Sequence, residues 1–130
     1  MKRTRLIVTG LFLASLALSP AWAQGARNTS MVRQEGAGNA AGIQQTGTAN
    51  EAGVLQFGRG NTGIITQEGT GNSACLVQAG RNLGGSIQQV GDYQTTGMFQ
   101  TRTGVRAIPV EACAKATTRA HVWAYAVGRR

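Results

Sequence analysis

The sequence predicts an all-β fold, a parallel β-solenoid with cross-β stacking, built from about seven strand–turn units and followed by a basic C-terminal tail. Three observations lead to this prediction. Glutamine recurs at a constant step of 11 residues, the specified positions of each unit alternate in steps of two, and glycine fills the intervals between them. A fixed period of this kind indicates a repeat structure in which neighbouring units share one core.

The composition independently disfavours an ordinary globular enzyme domain. Glycine supplies 19 of 130 residues and aromatic residues only 5%, although aromatic and large aliphatic side chains dominate typical cores. Only 2 prolines and 14% charged residues are atypical of a disordered linker. Glycine does not recur every third residue, which excludes a collagen triple helix.

Residues 1–23 carry the pattern of a secretory signal peptide, which is removed from the mature chain. A basic start, with Lys2, Arg3 and Arg5, precedes an apolar run over residues 6–18 and an Ala-x-Ala cleavage site. The apolar run is too short to cross about 30 Å of hydrocarbon, so we expect no membrane span. Processing removes these three basic residues and no acidic one, which lowers the formal net charge from +8 to +5.

The repeat occupies residues 24–104, and each unit follows one pattern. It reads Asn-x-small-x-aliphatic-x-Gln-x-Gly and two further residues, with the two-residue steps that are typical of a strand. The glycines fall in the remaining residues, where a tight turn needs backbone conformations that other residues disfavour. The predicted turn glycines are Gly36, Gly47, Gly58, Gly69, Gly80 and Gly91.

Successive strands are expected to coil, because simple hairpins would point identical polar side chains to the same interior face. Two units then make one turn of the coil, here called a rung, and rungs stack about 4.8 Å apart. Strands starting at 28, 50, 72 and 94 are expected to form one parallel sheet, and those starting at 39, 61 and 83 the other. The sequence leaves the hand of the coil open.

Stacked rungs explain why inward positions carry asparagine and glutamine. An inward amide can donate a hydrogen bond to its copy in one adjacent rung and accept one from its copy in the other. Such an amide ladder pairs nearly all of these groups, which are costly to bury unpaired. The predicted ladder residues are Asn28, Gln34, Asn39, Gln45, Asn50, Gln56, Asn61, Gln67, Asn72, Gln78, Gln89 and Gln100.

The motifs resemble the curlin repeat, Gln-x-Gly-x-Gly-Asn-x-Ala-x3-Gln. Residues 34–45 and 67–78 match it in full, and the two intervening units differ from it at Ala49 and Gly63. The resemblance implies a secreted subunit of extracellular curli amyloid fibres, which is exported through an outer-membrane secretion pore. It also implies assembly with itself and other curlin subunits, and a part in adhesion and biofilm matrix. The degraded last units and basic end are more similar to a minor, nucleating curlin than to a major one.

No constellation of residues indicates an enzyme, a metal site or a cofactor. The single histidine, His121, has no partner for a metal cluster or a general base, and Cys75 and Cys113 lack the spacing of a zinc site. The turn glycines lack the helix and Lys-Ser/Thr that follow a phosphate-binding loop. Residues 24–104 are nearly neutral, which disfavours nucleic-acid binding.

Two function classes stay open. The first is a fibre subunit that grows because unpaired N–H and C=O groups of its terminal rungs template the next chain. The second is a self-limited β-solenoid, such as a surface adhesin or an ice-binding protein. Ice binders tend to show flat outward rows of threonine, whereas the outward threonines here are scattered, at Thr62, Thr66 and Thr95.

The tail, residues 105–130, carries five basic residues against Glu111 alone. We expect it to attach the chain to an anionic surface, a matrix polymer or a partner subunit. A merely solvated basic end is the plainer interpretation. Alternation over residues 121–127 predicts a short strand, with an alanine-rich helix from about residue 111 as the alternative.

The two cysteines are candidates for a disulfide. Cys75 faces outward between Gly53 and Gly97 of neighbouring rungs, and the chain from 104 to Cys113 is long enough to reach it. Export favours a disulfide over free thiols, while an intermolecular bridge or two unrelated thiols stay open. Tail residues are also expected to cover the outward apolar row beside Cys75. The row is Leu55, Val77 and Phe99, and the covering residues are Val110, Val122, Trp123 and Tyr125.

Overall fold

Eight β-strands and one short helix make up residues 27–115, the part of the chain that the computed structural model describes. The signal peptide expected over residues 1–23 and the strand expected over 121–127 lie outside that part. The elements are β1 (Thr29–Glu35), β2 (Ala40–Thr48), β3 (Glu51–Arg59), β4 (Thr62–Thr70), β5 (Ser73–Arg81), β6 (Gly84–Val90), β7 (Thr95–Thr101), β8 (Gly104–Ala107) and α1 (Glu111–Lys115).

The first seven strands form two parallel sheets, so the predicted parallel β-solenoid is confirmed. β1, β3, β5 and β7 pair in that order in the first sheet, and β2, β4 and β6 pair in the second. In both sheets, residues two units apart are neighbours, as in Gln34–Gln56 and Gln45–Gln67. Each rung therefore places like residues over like residues, as the 11-residue step predicts.

The turns stack closely because their glycines carry no side chain. Gly58 has a φ of 122°, a backbone conformation that residues with a Cβ rarely adopt. A Cβ built on Gly58 would also overlap the carbonyl oxygen of Gly80 in the next rung. Backbone conformation and space together therefore require glycine at this position.

A thin apolar core lies between the two sheets. Burial along β4 alternates from residue to residue over most of its length, as expected for a strand with one inward face. Small side chains fill the core where the sheets come close, and aliphatic side chains fill it two residues later. The buried members are Ala52, Val54, Ile65, Ala74, Leu76 and Ile87.

A second apolar cluster covers the outer face of the first sheet. β3 and β5 are each buried over six consecutive residues, because the segment that includes α1 packs on their outer side. This places Val110 among the covering residues, while Val122, Trp123 and Tyr125 lie outside the described part of the chain. The cluster contains Leu55, Phe57, Cys75, Val77, Ala79, Phe99, Ala112 and Cys113, with Ile108 and Val110 packed against it.

The coil ends differently from the expectation of seven strands followed by a separate tail. β8 turns back and pairs antiparallel with β7, so residues 27–115 contain an eighth strand. An eighth repeat unit would carry Asn, an aliphatic residue and Gln where the chain has Val105, Pro109 and Glu111. The lost pattern and a proline that cannot donate a backbone hydrogen bond both disfavour a further parallel strand there. The tail then forms α1 from Glu111, at the start expected for the helical alternative.

Candidate functional site

A continuous column of glutamine amides runs through the first sheet. Gln34 Nε2 donates to Gln56 Oε1 at 2.7 Å, and Gln56 Nε2 donates to Gln78 Oε1 at 2.8 Å. Gln78 Nε2 then donates to Gln100 Oε1 at 2.9 Å. Gln56 and Gln78 are fully buried. The column has a direction, because each amide donates towards the C-terminal end of the solenoid.

The second sheet carries a shorter column with the same direction. Gln45 Nε2 donates to Gln67 Oε1 at 2.9 Å, and Gln67 Nε2 donates to Gln89 Oε1 at 2.7 Å. The second N–H of each amide is also used, since Gln67 Nε2 donates to the Glu51 carbonyl at 3.0 Å. The glutamines thus link adjacent rungs, and they also connect the two sheets, because Gln67 lies in β4 and Glu51 in β3.

The asparagines bind differently from the expected amide-to-amide contact. Asn50 Oδ1 accepts a hydrogen bond from the Asn72 backbone N–H at 3.0 Å. Asn50 Nδ2 donates to the Gly69 carbonyl in the neighbouring turn at 2.9 Å. An asparagine side chain is shorter than that of glutamine and lies at the start of a strand, where backbone groups of the turn need partners. The asparagines therefore fasten the turns, and the glutamines fasten the strands.

The N-terminal rung, formed by β1 and β2, presents an open edge. Among residues 27–115, no donor reaches Oε1 of Gln34 or Gln45. The inward side chain of Val32 is 50% exposed, whereas its counterpart Val54 in the next rung is 0% exposed. This surface therefore carries the same side chains as an interior rung, but no further rung is stacked on it.

The C-terminal rung is not the mirror image of this open edge, contrary to the expectation of two unprotected ends. β8 covers the outer edge of β7, and Gln89 Nε2 is turned to the Thr96 hydroxyl at 3.1 Å. Leu83 and Gln94 also replace the asparagines of this rung. Leucine provides no side-chain oxygen for the backbone N–H of a following rung.

Cys75 and Cys113 form a disulfide, with their Cα atoms 5.6 Å apart. This bond joins α1 to the middle of β5 and lies within the outer apolar cluster. Gly53 lies beside the disulfide, and a Cβ built there would clash with the Cys113 side chain. A Cβ on Gly97 would overlap the Ile108 carbonyl. These glycines therefore provide the space in which the tail lies against the sheet.

Sequence reasoning interpreted Gly53 and Gly97 as leaving the thiol open and missed their contact with the tail. A glycine in mid-strand, away from any turn, signals close approach of another backbone. That signal was present at both positions, because each lies at the fourth residue of its unit.

Across residues 27–115, neither a threonine row nor a metal cluster is formed. Thr66 lies between Gln44 and Gln88 of the adjacent strands, and Thr95 lies beside Ser73, so these threonines form no outward row. Within residues 27–115, no three His, Cys, Asp or Glu side chains are grouped to hold a metal ion. In that same segment, no helix has the length and apolar character needed to cross a membrane.

Comparison with known proteins identifies the repeat. A family model described as the curlin associated repeat matches residues 25–58, 39–69 and 58–91, which together span about half of the chain. The matched segments include β1 to β6 and the glutamine columns between them. No curated protein and no solved structure matches the chain significantly.

Proposed function

The chain belongs to the curlin family, and we propose that it is a secreted structural subunit of extracellular curli-like amyloid fibres at the cell surface. In this role it polymerises with itself and with other curlin subunits, and it contributes to adhesion and biofilm matrix. Residues 1–23 are a secretory signal peptide that is removed, and the mature chain then leaves the cell through an outer-membrane secretion pore. Residues 24–104 build the fibre, and residues 105–130 attach it to an anionic surface or a partner subunit.

The open N-terminal rung is the observation that carries this proposal. Gln34 and Gln45 offer amide oxygens there, and a second rung stacked on this edge would bury Val32 as Val54 is buried in the interior. An unpaired strand edge templates the pairing of another chain. Identical stacked side chains then extend both the backbone hydrogen bonds and the amide columns. Polymerisation is therefore continuation of the fold across a chain boundary.

Fibre formation by the mature chain tests the proposal. The chain of residues 24–130 is incubated under oxidising and under reducing conditions, and thioflavin fluorescence and electron microscopy are recorded. We expect thioflavin-positive fibres in at least one condition. A chain that stays a soluble monomer in both conditions would overturn the proposal and favour the self-limited β-solenoid.

A set of substitutions tests whether the stacked amide side chains, the glutamines of the columns and the asparagines of the turns, drive growth. Combined replacement of Gln45, Asn61 and Gln67 by alanine should slow seeded elongation by about tenfold or more, because each lost buried hydrogen bond costs about 1 kcal/mol. The matched control replaces the exposed glutamines Gln44 and Gln88 by alanine. Equal elongation rates for the two variants would contradict the role of the buried amides.

A further inference from the structure

We propose that residues 104–115 are a disulfide-held cap, which restricts assembly of the oxidised chain to its N-terminal rung. The partner that fits this rung is the C-terminal rung of a second copy whose cap has been released. The inference rests on the proposed function. It adds the direction in which chains assemble and proposes that reduction of the disulfide controls this assembly.

The cap occupies the outer edge of the first sheet, which is one of the two edges on which a following rung would stack; β6 forms the other. β8 pairs with β7 from Met98 to Thr101, and Ile108 N–H donates to the Gly97 carbonyl at 3.0 Å. The strand is antiparallel, so it cannot continue the parallel register of the sheet. It also places Val105 opposite Gln100. A valine can neither accept from nor donate to the amide column, which therefore ends at Gln100.

The disulfide is what makes such a short strand an effective cap. β8 has four residues, against nine in β3 and β5, and short isolated strand pairs are only marginally stable. Cys113 is tied to Cys75 in the interior of the sheet, and Ala112 is buried in the outer cluster beside it. Reduction by a dithiol donates two electrons and two protons to this bond. The products are two cysteine thiols and the oxidised reagent, and the cap then loses its covalent link to β5.

The polarity of the amide columns selects the partner surface. Every bond between two glutamines is donated towards the C-terminal end, so the N-terminal rung presents acceptor oxygens at Gln34 and Gln45. The complementary donor is Gln100 Nε2 in the last rung of an uncapped copy, because its bond to the Gly84 carbonyl uses one of its two N–H groups. Both N–H groups of Gln89 already donate, to a backbone carbonyl and a hydroxyl of the same chain. Two N-terminal rungs placed face to face would set oxygen against oxygen. Head-to-tail stacking is therefore favoured over a symmetric contact.

Seeded elongation tests the cap directly. Seeds are grown from the Cys75→Ser/Cys113→Ser variant, and the mature chain with its disulfide intact is added as monomer. We expect the oxidised chain to elongate seeds about tenfold or more slowly than the double variant does, because its C-terminal edge is paired. When the oxidised chain is added at about one-tenth of the concentration of the variant monomer, fibre growth should slow at least twofold. Each oxidised chain that binds a fibre end leaves its own paired C-terminal edge there, and that end stops growing.

Further variants keep the test independent of the serine substitutions. In oxidised Gly97→Ala the new Cβ would overlap the Ile108 carbonyl, so the cap cannot pack against β7. This variant should elongate faster than the oxidised wild type. Gly42→Ala is the matched control, since Gly42 holds the same repeat position in β2 and a Cβ there meets nothing within 4 Å. Wild type reduced with dithiothreitol should behave like the double variant. Circular dichroism checks that each chain is folded before elongation begins.

The outcomes separate this inference from the proposed function. Equal elongation by the oxidised and uncapped chains would overturn the cap while leaving the fibre subunit intact. Failure of the oxidised chain to bind or slow the seeds would overturn docking through the N-terminal rung. If no form of the chain makes fibres, the proposed function itself fails, and the inference fails with it.

Discussion

Replacement of Gln89 by alanine measures how strongly a buried amide holds the rungs together. Gln89 is 1% exposed, and its Oε1 accepts from Gln67 Nε2 at 2.7 Å. Its Nε2 donates to the Ser73 carbonyl and to the Thr96 hydroxyl, both at 3.1 Å. The truncation removes three hydrogen bonds and leaves a cavity. At about 1 kcal/mol per hydrogen bond, with a cavity cost added, the free energy of unfolding should fall by about 3–5 kcal/mol.

Gln88 provides a matched control, because it is the same residue type, precedes Gln89 in β6 and is exposed. Gln88→Ala should change the free energy of unfolding by less than about 0.5 kcal/mol. The assay is urea denaturation of the soluble monomer, followed by far-ultraviolet circular dichroism with the disulfide intact. Equal destabilisation by the two substitutions would refute the claim that burial and pairing determine the contribution of each glutamine.

Two further substitutions test the turns and the disulfide. Gly58→Ala should destabilise the monomer by at least about 2 kcal/mol because of its positive φ and the overlap with Gly80, while Gly42→Ala should stay within about 0.5 kcal/mol. Thermal melts compare the two variants, and similar melting temperatures would contradict the reasoning. Cys113→Ser removes the disulfide to Cys75, which closes a loop of 38 residues. The free energy of unfolding should fall by about 4 kcal/mol. Urea denaturation measures that cost, and an unchanged midpoint would contradict it.

The fold of the repeat could be predicted because the sequence specifies the same contacts many times. Gln34, Gln56 and Gln78 follow one another at two-unit spacing, so a single assumption about the rung places all three in one column. Alternation in steps of two then decides which side chains face inward. A unit that departs from the pattern can still be placed from the units on either side of it, and a sequence without repeats offers no such support.

The end of the coil lacked this redundancy. The loss of the repeat pattern after Gly104 indicates that the coil ends there, but residues 104–107 are too few to show the alternation that would predict an antiparallel strand. The contacts of the asparagines were undetermined for a different reason. A buried amide is satisfied equally by another amide or by backbone groups, so spacing alone cannot choose between them. The length of the side chain and its place beside the turn decide the outcome, as at Asn50.

Mass per unit length of the fibres tests the central claim, which is that the solenoid continues from one chain into the next. Fibres grown from the Cys75→Ser/Cys113→Ser variant would be measured by dark-field scanning transmission electron microscopy. Seven repeat strands make about three and a half rungs at about 4.8 Å each, so the account predicts one chain per roughly 17 Å of fibre. One chain per roughly 4.8 Å, the value for extended chains stacked in register, would contradict it.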